Sequence, residues 1–273
     1  MSQATSVNWS TPAAAFDRVA ASYDDLFTRT AIGQAQRKQV WRRLLRAFAP
    51  GERILELNCG TGEDARFLAL RGRTIVACDA SSRMIEVAVA RTQRDAKGAD
   101  IVFRQVANED LGMLPRQQTF DGAYSNFSGL NCMADLQPVA RNLASLVKPG
   151  GRVLLCLWSR VCLGELVWYL FQGRASKALR RFSGRAMARV GESVITVSYP
   201  TVGDVQRIFA PWFQLERRCA VGLFVPPSYV ESWARKHETA LGHLEKMDRV
   251  FARLPVFRDV GDHVLLEFTR CSR

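Results

Sequence analysis

The sequence lacks several features that would assign it to a particular class of protein. It contains no run of 18 or more apolar residues, so no membrane-spanning helix is predicted. Its first 16 residues carry no basic segment followed by an apolar one, so no secretory leader is expected. The seven cysteines form no CxxC pair, and there is no internal repeat or low-complexity tract. These absences favour a globular chain with reduced thiols and a cytoplasmic location.

Histidine is also scarce. The three histidines are His237, His243 and His263, and they are not grouped with carboxylates at a spacing typical of metal ligands. The sequence therefore predicts no metal site. Histidine is the most common general base in enzymes, so each of the three remains a candidate for proton transfer.

Basic residues are in excess. The chain has 38 Lys and Arg against 26 Asp and Glu, which gives a formal net charge of +12. They cluster in residues 37–48 and 174–189. The first cluster is predicted to be the solvated face of an amphipathic helix, with its apolar residues turned inward: Trp41, Leu44, Leu45 and Phe48. The excess also suits a nucleic acid, an anionic lipid surface or an acidic small molecule.

From residue 53 onward, β-like runs alternate with helix-like segments, which predicts parallel βαβ units and an α/β fold. Five such runs extend as far as Trp158, and "DHVLLEFTR" closes the chain as a further strand. Residues 160–199 break this pattern and are predicted to form a helical, aromatic and basic cap. Residues 1–12 are predicted to be disordered, and residues 13–273 to form one domain.

The stretch "ILELNCGTGEDA" predicts a buried strand, a glycine turn and the start of a helix. Bare backbone at Gly60 and Gly62 allows close approach of a ligand, and Asp79 at the end of the next strand is placed to bind ribose hydroxyls. "GTGEDA" also matches the dinucleotide pattern GxGxxA. However, Glu63 and Asp64 would oppose a pyrophosphate at the helix N-terminus. A ligand with an ammonium and a sulfonium group fits better, and S-adenosylmethionine is such a ligand.

Four motifs resemble those of the class I S-adenosylmethionine-dependent methyltransferases, in the small-molecule branch related to quinone biosynthesis: "FDRVAASYD", "LELNCGTG", "ACDAS" and "LVKPGGRVLLCLW". The resemblance implies a Rossmann-like, seven-stranded, mostly parallel sheet with helices on both faces and the cap inserted after strand five. Asn58 replaces the first glycine of the family's motif. Ala107 stands where the family often has an aspartate that binds adenine, and Asn108 is the substitute expected here.

The resemblance also implies roles for individual residues. The residues expected to bind the cofactor are Tyr23, Glu56, Asn58, Gly60, Gly62, Asp79, Ala80, Met84, Asn108 and Asn126. The substrate pocket is expected above strands four and five, with walls from Phe127, Asn131, Trp158, Trp168, Phe224 and Tyr229. No catalytic residue is assigned, and Tyr23 and His237 are the candidates.

The predicted reaction is methyl transfer to a small hydrophobic metabolite by in-line displacement. "SNFSGLN" after the fourth strand is not the Asn/Asp-Pro-Pro-Tyr pattern of base methylation, and no Pro-Cys pair follows that strand, so nucleic acid is not the expected partner. Methylation of RNA or protein and a nucleotide-dependent oxidoreduction remain the alternatives. The basic cap also leaves a peripheral membrane contact open.

Overall fold

The computed structural model of the chain describes residues 8–115 and 119–272. The strands, in chain order, are β1 (Arg53–Leu57), β2 (Thr74–Asp79), β3 (Ile101–Gln105), β4 (Phe120–Ser125), β5 (Val147–Trp158), β6 (Arg185–Val190), β7 (Ser193–Ser198), β8 (Phe213–Val221) and β9 (His263–Arg270). The helices are α1 (Pro12–Val19), α2 (Ala31–Ala47), α3 (Glu63–Ala69), α4 (Ser82–Asp95), α5 (Gln137–Leu146), α6 (Leu163–Phe171), α7 (Ala175–Ala178), α8 (Val202–Phe209), α9 (Glu231–Lys236) and α10 (Glu238–Phe251). A π-helical turn, Asp24–Thr28, and four 3₁₀ turns connect some of them: Asn108–Met113, Gly129–Cys132, Arg180–Ser183 and Ser228–Val230.

Seven strands form the central sheet in the order β3-β2-β1-β4-β5-β9-β8. The first five are parallel, and β9 runs antiparallel between β5 and β8. This arrangement confirms the predicted α/β fold with a mostly parallel sheet. The sheet order reverses at β1, where β2 lies on one side and β4 on the other. In open α/β sheets, ligands bind at the carboxyl ends of the strands beside such a reversal.

Helices cover both faces of the sheet, as predicted. On one face, α5 and α8 pack their buried residues, among them Leu143 and Phe209, against the strands. On the other face, α2 and α3 contribute Leu44 and Leu68 to a second apolar core. The two layers bury the strands on both sides, which is why the parallel strands read as nearly continuous apolar runs.

The cap after β5 differs from the prediction. Residues 160–199 were expected to be helical, but only the first half is, and β6 and β7 pair as an antiparallel hairpin. The stretch "RAMARV" alternates polar or long side chains with small apolar ones, and its burial alternates in the same way. Ala186, Ala188 and Val190 pack in the same apolar cluster as Ala15 of α1. This period of two is typical of a strand with one covered face.

The predicted disorder of residues 1–12 is wrong for their last five residues, and residues 1–7 lie outside the described part. Trp9 forms a β-bridge with Val194, and the Ser10 N–H donates to the Val194 carbonyl at 3.2 Å. Thr11 then caps α1 by accepting a hydrogen bond from the Ala14 N–H. All seven cysteines are free thiols. Within the described ranges, no helix combines the length and the apolar character that crossing a membrane requires.

Candidate active site

A cavity of about 530 Å³ opens at the carboxyl ends of the central parallel strands. Its floor is formed by the turn after β1 and the loop after β4. Residues of α1, of the turn Asp24–Thr28 and of the β6–β7 hairpin contribute to the rest of its lining. The sheet thus brings together segments that lie far apart in the sequence, as the topology predicts for a ligand site.

The turn after β1 uses left-handed backbone at Asn58, Gly60 and Gly62, with φ of 56°, 52° and 74°. Asparagine tolerates this conformation better than other non-glycine residues, so Asn58 fits the turn at the position where the resemblance implies a glycine. Its Oδ1 accepts a hydrogen bond from the Ser125 hydroxyl at 3.0 Å, which holds the side chain against the neighbouring strand.

The two glycines have different surroundings. A Cβ at Gly60 would lie 4.0 Å from a ring carbon of Tyr23 and would face the cavity. A Cβ at Gly62 would lie 2.9 Å from the Ala88 Cβ and 3.1 Å from the Phe103 ring. Gly62 does not line the cavity. Gly62 therefore allows close packing of α3 against α4 and β3. The expectation that Gly62 contacts the ligand is corrected: its role is in packing.

Asp79 ends β2 and lines the cavity. Its carboxylate accepts hydrogen bonds from the Gly60 N–H and the Ser81 N–H, both at 2.9 Å, so the side chain has a fixed position. Burial raises the pKa of Asp79 above its usual value, and these backbone donors oppose the shift. Ala80, Met84 and Asn108 line the cavity too, as does Asn126 from the loop after β4.

Asp64 in the first turn of α3 is the centre of a buried polar cluster. It forms an ion pair with Arg37 at 2.6 Å and accepts hydrogen bonds from Trp41 Nε1 at 2.6 Å and Asn126 Nδ2 at 3.0 Å. The prediction that the basic cluster of α2 is a solvated face is therefore wrong for Arg37, which is buried and lines the cavity. A second arginine of this helix, Arg43, is also buried and pairs with Glu267 of β9.

Glu63, the neighbour of Asp64, pairs with Arg66 at 2.9 Å and with Arg91 at 3.3 Å. Both acids of the first turn thus have cationic partners, which weakens the repulsion that the sequence predicts between them and a pyrophosphate. The cavity lining nevertheless carries more acidic than basic groups: Glu63, Asp64, Asp79, Glu109 and Asp262 against Arg37 and Arg189. This excess still favours a ligand that carries positive charge.

Glu56 was expected to organise the ligand from the end of β1, but the side chain does not line the cavity. It is buried beneath the glycine turn, beside Tyr124 on β4, and its Oε2 has no hydrogen-bond partner among the described residues. Burial, together with the nearby charge of Asp64, raises the pKa of Glu56 well above its usual value. Side chains alternate between the two sides of β1, and the Glu56 carboxyl is on the side that lies beneath the cavity.

Aromatic rings line another part of the cavity. The Phe127 ring packs edge to face against Phe27 at 5.0 Å and against His263 at 5.7 Å, and the Arg37 guanidinium lies 4.8 Å from its centroid. Phe127 itself has φ of 49°, an uncommon value for a bulky residue. Trp158 adds a further wall. Such a lining suits a flat, largely apolar molecule.

His263 is the histidine that lines the cavity, at the start of β9. Burial lowers its pKa, so the imidazole is neutral at neutral pH. Asp262 is next to it, with its Oδ2 at 3.4 Å from His263 Nδ1. Asp262 also accepts hydrogen bonds from Gln36 Nε2 at 3.2 Å and from Arg181 Nη2 at 2.8 Å.

The catalytic candidates from the sequence lie in different places. Tyr23 lines the cavity, and burial raises its pKa. His237 does not line it: the ring is exposed and stacks on Trp233 at 5.1 Å, with Nδ1 at 2.9 Å from the Trp233 carbonyl. The expectation for His237 is therefore corrected, because the start of α10 lies outside the site.

Four of the six expected substrate residues also lie outside the cavity. Asn131 is fully buried and structural: its amide donates to the Ser198 carbonyl at 2.7 Å and accepts from the Trp158 N–H at 3.0 Å. Phe224 packs against Phe251 with ring centroids 5.8 Å apart. The other two are on the surface: Trp168 of α6 is 43% exposed, and Tyr229 of the turn Ser228–Val230 is 42% exposed. Of this set, the lining contains Phe127 and Trp158.

Three acidic or thiol groups in the described part of the chain lie close enough to hold a metal ion: Cys162, Glu165 and Asp262. Arg181 binds both carboxylates, Glu165 at 2.6 Å and Asp262 at 2.8 Å. Because a guanidinium already neutralises both groups, this cluster is an ion-pair network and does not suit a second cation.

Comparison with known proteins agrees with this geometry. Residues 54–151 match the family model described as "Methyltransferase domain". A demethylmenaquinone methyltransferase from Clavibacter sepedonicus is 36% identical over 150 residues, which cover 54% of this chain and 57% of that protein. One from Thermobifida fusca is 33% identical over 153 residues, covering 55% and 61%. The chain thus spans less than two thirds of the curated relatives that it matches.

Among solved structures, the N-methyltransferase NodS from Bradyrhizobium japonicum, in complex with S-adenosyl-L-homocysteine, superimposes with a TM-score of 0.58 at 15% identity, covering 97% of this chain and 100% of that one. The [4+2]-cyclase SpnF superimposes with a TM-score of 0.63 at 13% identity, covering 97% and 98%. The fold is therefore shared by proteins of different reactions. The chain is thus similar to methyltransferases in its matched domain and to demethylmenaquinone methyltransferases over about half of its length, and it shares the fold of the solved structures.

Proposed function

We propose that the chain binds S-adenosylmethionine at the glycine-turn end of the cavity and transfers its methyl group to a small, flat, largely apolar acceptor at the aromatic end. The observation that carries this proposal is that the glycine turn and the aromatic residues line one cavity, so that a donor and an acceptor can lie side by side in it. The curated relatives are named demethylmenaquinone methyltransferases, which supports a quinone-type acceptor. The free thiols fit a cytoplasmic location.

Unpaired polar atoms support the donor site. Asn126 Oδ1 and Arg37 Nε are buried and have no hydrogen-bond partner among the described residues, although both side chains line the cavity. Buried polar groups are rarely left unpaired, so each indicates a ligand atom. The amide oxygen suits the ammonium of a methionyl group, and the guanidinium suits its carboxylate. Asp79 would then accept the ribose hydroxyls, with Ala80 and Met84 beside the adenine.

S-adenosylmethionine supplies an activated methyl group and leaves as S-adenosylhomocysteine. The protein's task is mainly to align the acceptor with the methyl carbon and the sulfur, which contributes on the order of 7–11 kcal/mol when alignment is good. If the acceptor atom carries a proton, a base must take it up. Neutral His263 is the group in the cavity that is suited to this role, and we assign it in place of His237.

Calorimetric titration with S-adenosylmethionine, S-adenosylhomocysteine and NAD tests the donor site. We expect saturable binding of the first two and none of NAD. Asp79→Asn should bind them far more weakly, whereas Asp100→Asn, at an exposed position outside the cavity, should bind like the wild-type protein. Saturable binding of NAD alone would instead support the oxidoreductase alternative and refute the proposal.

Transfer of a radiolabelled methyl group tests the acceptor class. Demethylated naphthoquinones are the first acceptors to try, followed by small phenols, with RNA as the comparison. Label in the organic extract supports the proposal. Label that is found in RNA alone would favour the alternative that the net charge of the chain suggests.

A further inference from the structure

The cap carries a helix whose apolar face points outward. In α6, the exposed side chains are Leu163, Val167, Trp168, Leu170 and Phe171, and Phe171 is 89% exposed. The buried residue of this helix is a glutamate, Glu165. A surface helix of a globular protein normally has the opposite arrangement.

Ion pairs to the buried Glu165 hold α6 in this orientation. Glu165 pairs with Arg180 at 2.7 Å and with Arg181 at 2.6 Å. Arg181 also donates to the Asp262 carbonyl at 2.9 Å and pairs with the Asp262 carboxylate at 2.8 Å, which ties the cap to the residue before β9. Breaking a buried pair of this kind is strongly destabilising. The exposed apolar face is therefore a fixed property of the folded cap.

The same surface continues beyond α6. Leu179 and Phe182 are exposed in the turns that follow, and the surface they form with α6 is called the cap surface below. Residues 160–191 contain seven basic residues and one acidic residue, the buried Glu165: Arg160, Arg174, Lys177, Arg180, Arg181, Arg185 and Arg189. Exposed aromatic and aliphatic side chains thus lie in a strongly basic segment.

We propose that the cap surface docks the protein on a membrane that contains anionic lipid. Aromatic and aliphatic side chains such as Trp168 and Phe171 enter the headgroup boundary, and basic residues around them attract anionic headgroups. A second copy of the chain fits this surface less well, because a symmetric contact would bring two basic segments together. Charge complementarity therefore favours a lipid surface.

The cap surface and part of the cavity lining belong to the same segment of the chain. Ala188, Arg189 and Val190 of the β6–β7 hairpin line the cavity, and this hairpin directly follows the exposed turns. Docking through the cap would therefore hold this part of the cavity lining close to the bilayer in which an apolar acceptor dissolves, a consequence that rests on the proposed function. The docking itself does not depend on methyl transfer and is tested separately.

Sedimentation of the full chain with vesicles tests the proposal. We expect binding to vesicles of phosphatidylcholine with phosphatidylglycerol, much weaker binding to phosphatidylcholine alone, and loss of binding in high salt. The double variant Trp168→Ser/Phe171→Ser should lose most of the binding. Met113→Ser/Val256→Ser, which changes side chains that are 80% and 78% exposed elsewhere, should bind like the wild-type protein.

A charge series gives a second readout. A basic residue near an anionic surface contributes about 1 kcal/mol, so each of Arg174→Gln and Arg185→Gln should lower the partition coefficient about fivefold. Lys97→Gln and Arg141→Gln, at exposed positions outside the cap, are the matched controls. Calorimetric binding of S-adenosylhomocysteine confirms that each variant is folded, because none of these residues lines the cavity.

Three outcomes overturn the proposal. The first is that the wild-type protein does not bind anionic vesicles. The second is that the variant with serine at 168 and 171 binds them as well as the control variant does. The third is that the wild-type protein is a dimer in solution, that the variant with serine at 168 and 171 is a monomer, and that lipid vesicles do not change either state. Loss of methyl transfer with vesicle binding intact would refute the proposed function alone.

Discussion

The two glycines of the turn after β1 offer a sharp test, because the same substitution should have different effects at each. Both have positive φ, so Gly60→Ala and Gly62→Ala share a backbone cost of about 1–2 kcal/mol. At Gly62, the new methyl group would also lie 2.9 Å from the Ala88 Cβ and 3.1 Å from the Phe103 ring. Overpacking of a well-packed site costs roughly 1–3 kcal/mol more.

The expected results separate stability from affinity. Gly62→Ala should unfold at a temperature roughly 2–12 °C below that of Gly60→Ala, given about 2–4 °C per kcal/mol for a chain of this size. Gly60→Ala should keep most of its stability but lose affinity for S-adenosylhomocysteine by roughly 5- to 150-fold, since its methyl group would enter the ligand's space at a cost of about 1–3 kcal/mol.

Thermal unfolding in the absence of ligand and calorimetric titration of the same preparations provide the two measurements. The wild-type protein is the reference for both. Weaker ligand binding by Gly62→Ala with unchanged unfolding, or wild-type affinity in Gly60→Ala, would show that the two roles are wrongly assigned.

Three further predictions follow from the charges at the site. Affinity for S-adenosylhomocysteine should decrease as pH falls toward the raised pKa of Asp79, because a protonated carboxyl is a poorer hydrogen-bond acceptor. Binding titrations between about pH 5 and 8 would detect this decrease, and the affinity of Asp79→Asn should not depend on pH in this range. His263→Gln should lower the rate of methyl transfer at saturating donor while ligand affinity stays unchanged, and an unchanged rate would exclude it as the base. The pKa of His263 is lowered on folding, so near and below the unfolded value of about 6.5 the unfolded chain binds more protons than the folded one. Denaturant titrations should therefore show the wild-type protein losing stability relative to His263→Gln as pH falls below about 6.5, and a difference that does not change with pH would refute this.

The central sheet was predictable from sequence because its signals are local. Each parallel strand is a short apolar run, and each crossover helix ends at a glycine or proline close by in the chain. The β6–β7 hairpin was missed because small residues such as Ala186 and Ala188 fit a helical or an extended pattern equally well. The strand-like pairing of Trp9 was missed for another reason: its partner, Val194, is distant in sequence.

The candidate site was predicted in part. Gly60, Asp79 and Met84 line the cavity, since their positions follow from the motif and the strand ends. Glu56 and Gly62 belong to the same motif but face the interior, because a motif fixes spacing and does not fix which side chain points toward the ligand. Their neighbours decide this, and those neighbours come from other elements.

The polar partners of the site were the hardest part to predict. Arg37 belongs to a basic cluster that resembles a solvated face, and its burial depends on Asp64 of the next helix. A weak signal was present: Arg37 and Trp41 are one helical turn apart, so both can reach the same carboxylate. Nothing in the local sequence identifies that carboxylate as their shared acceptor.

The carboxylate of Asp262 has one further consequence. One of its oxygens binds Arg181 from the cap, and the other lies beside His263 in the cavity. The positive charge of Arg181 holds down the proton affinity of the imidazole, whereas the negative charge of Asp262 raises it. A cap that lifts away would remove the guanidinium and leave the carboxylate, so the imidazole would become a stronger base. The ion pair that anchors the cap and the charge beside the imidazole thus belong to a single aspartate.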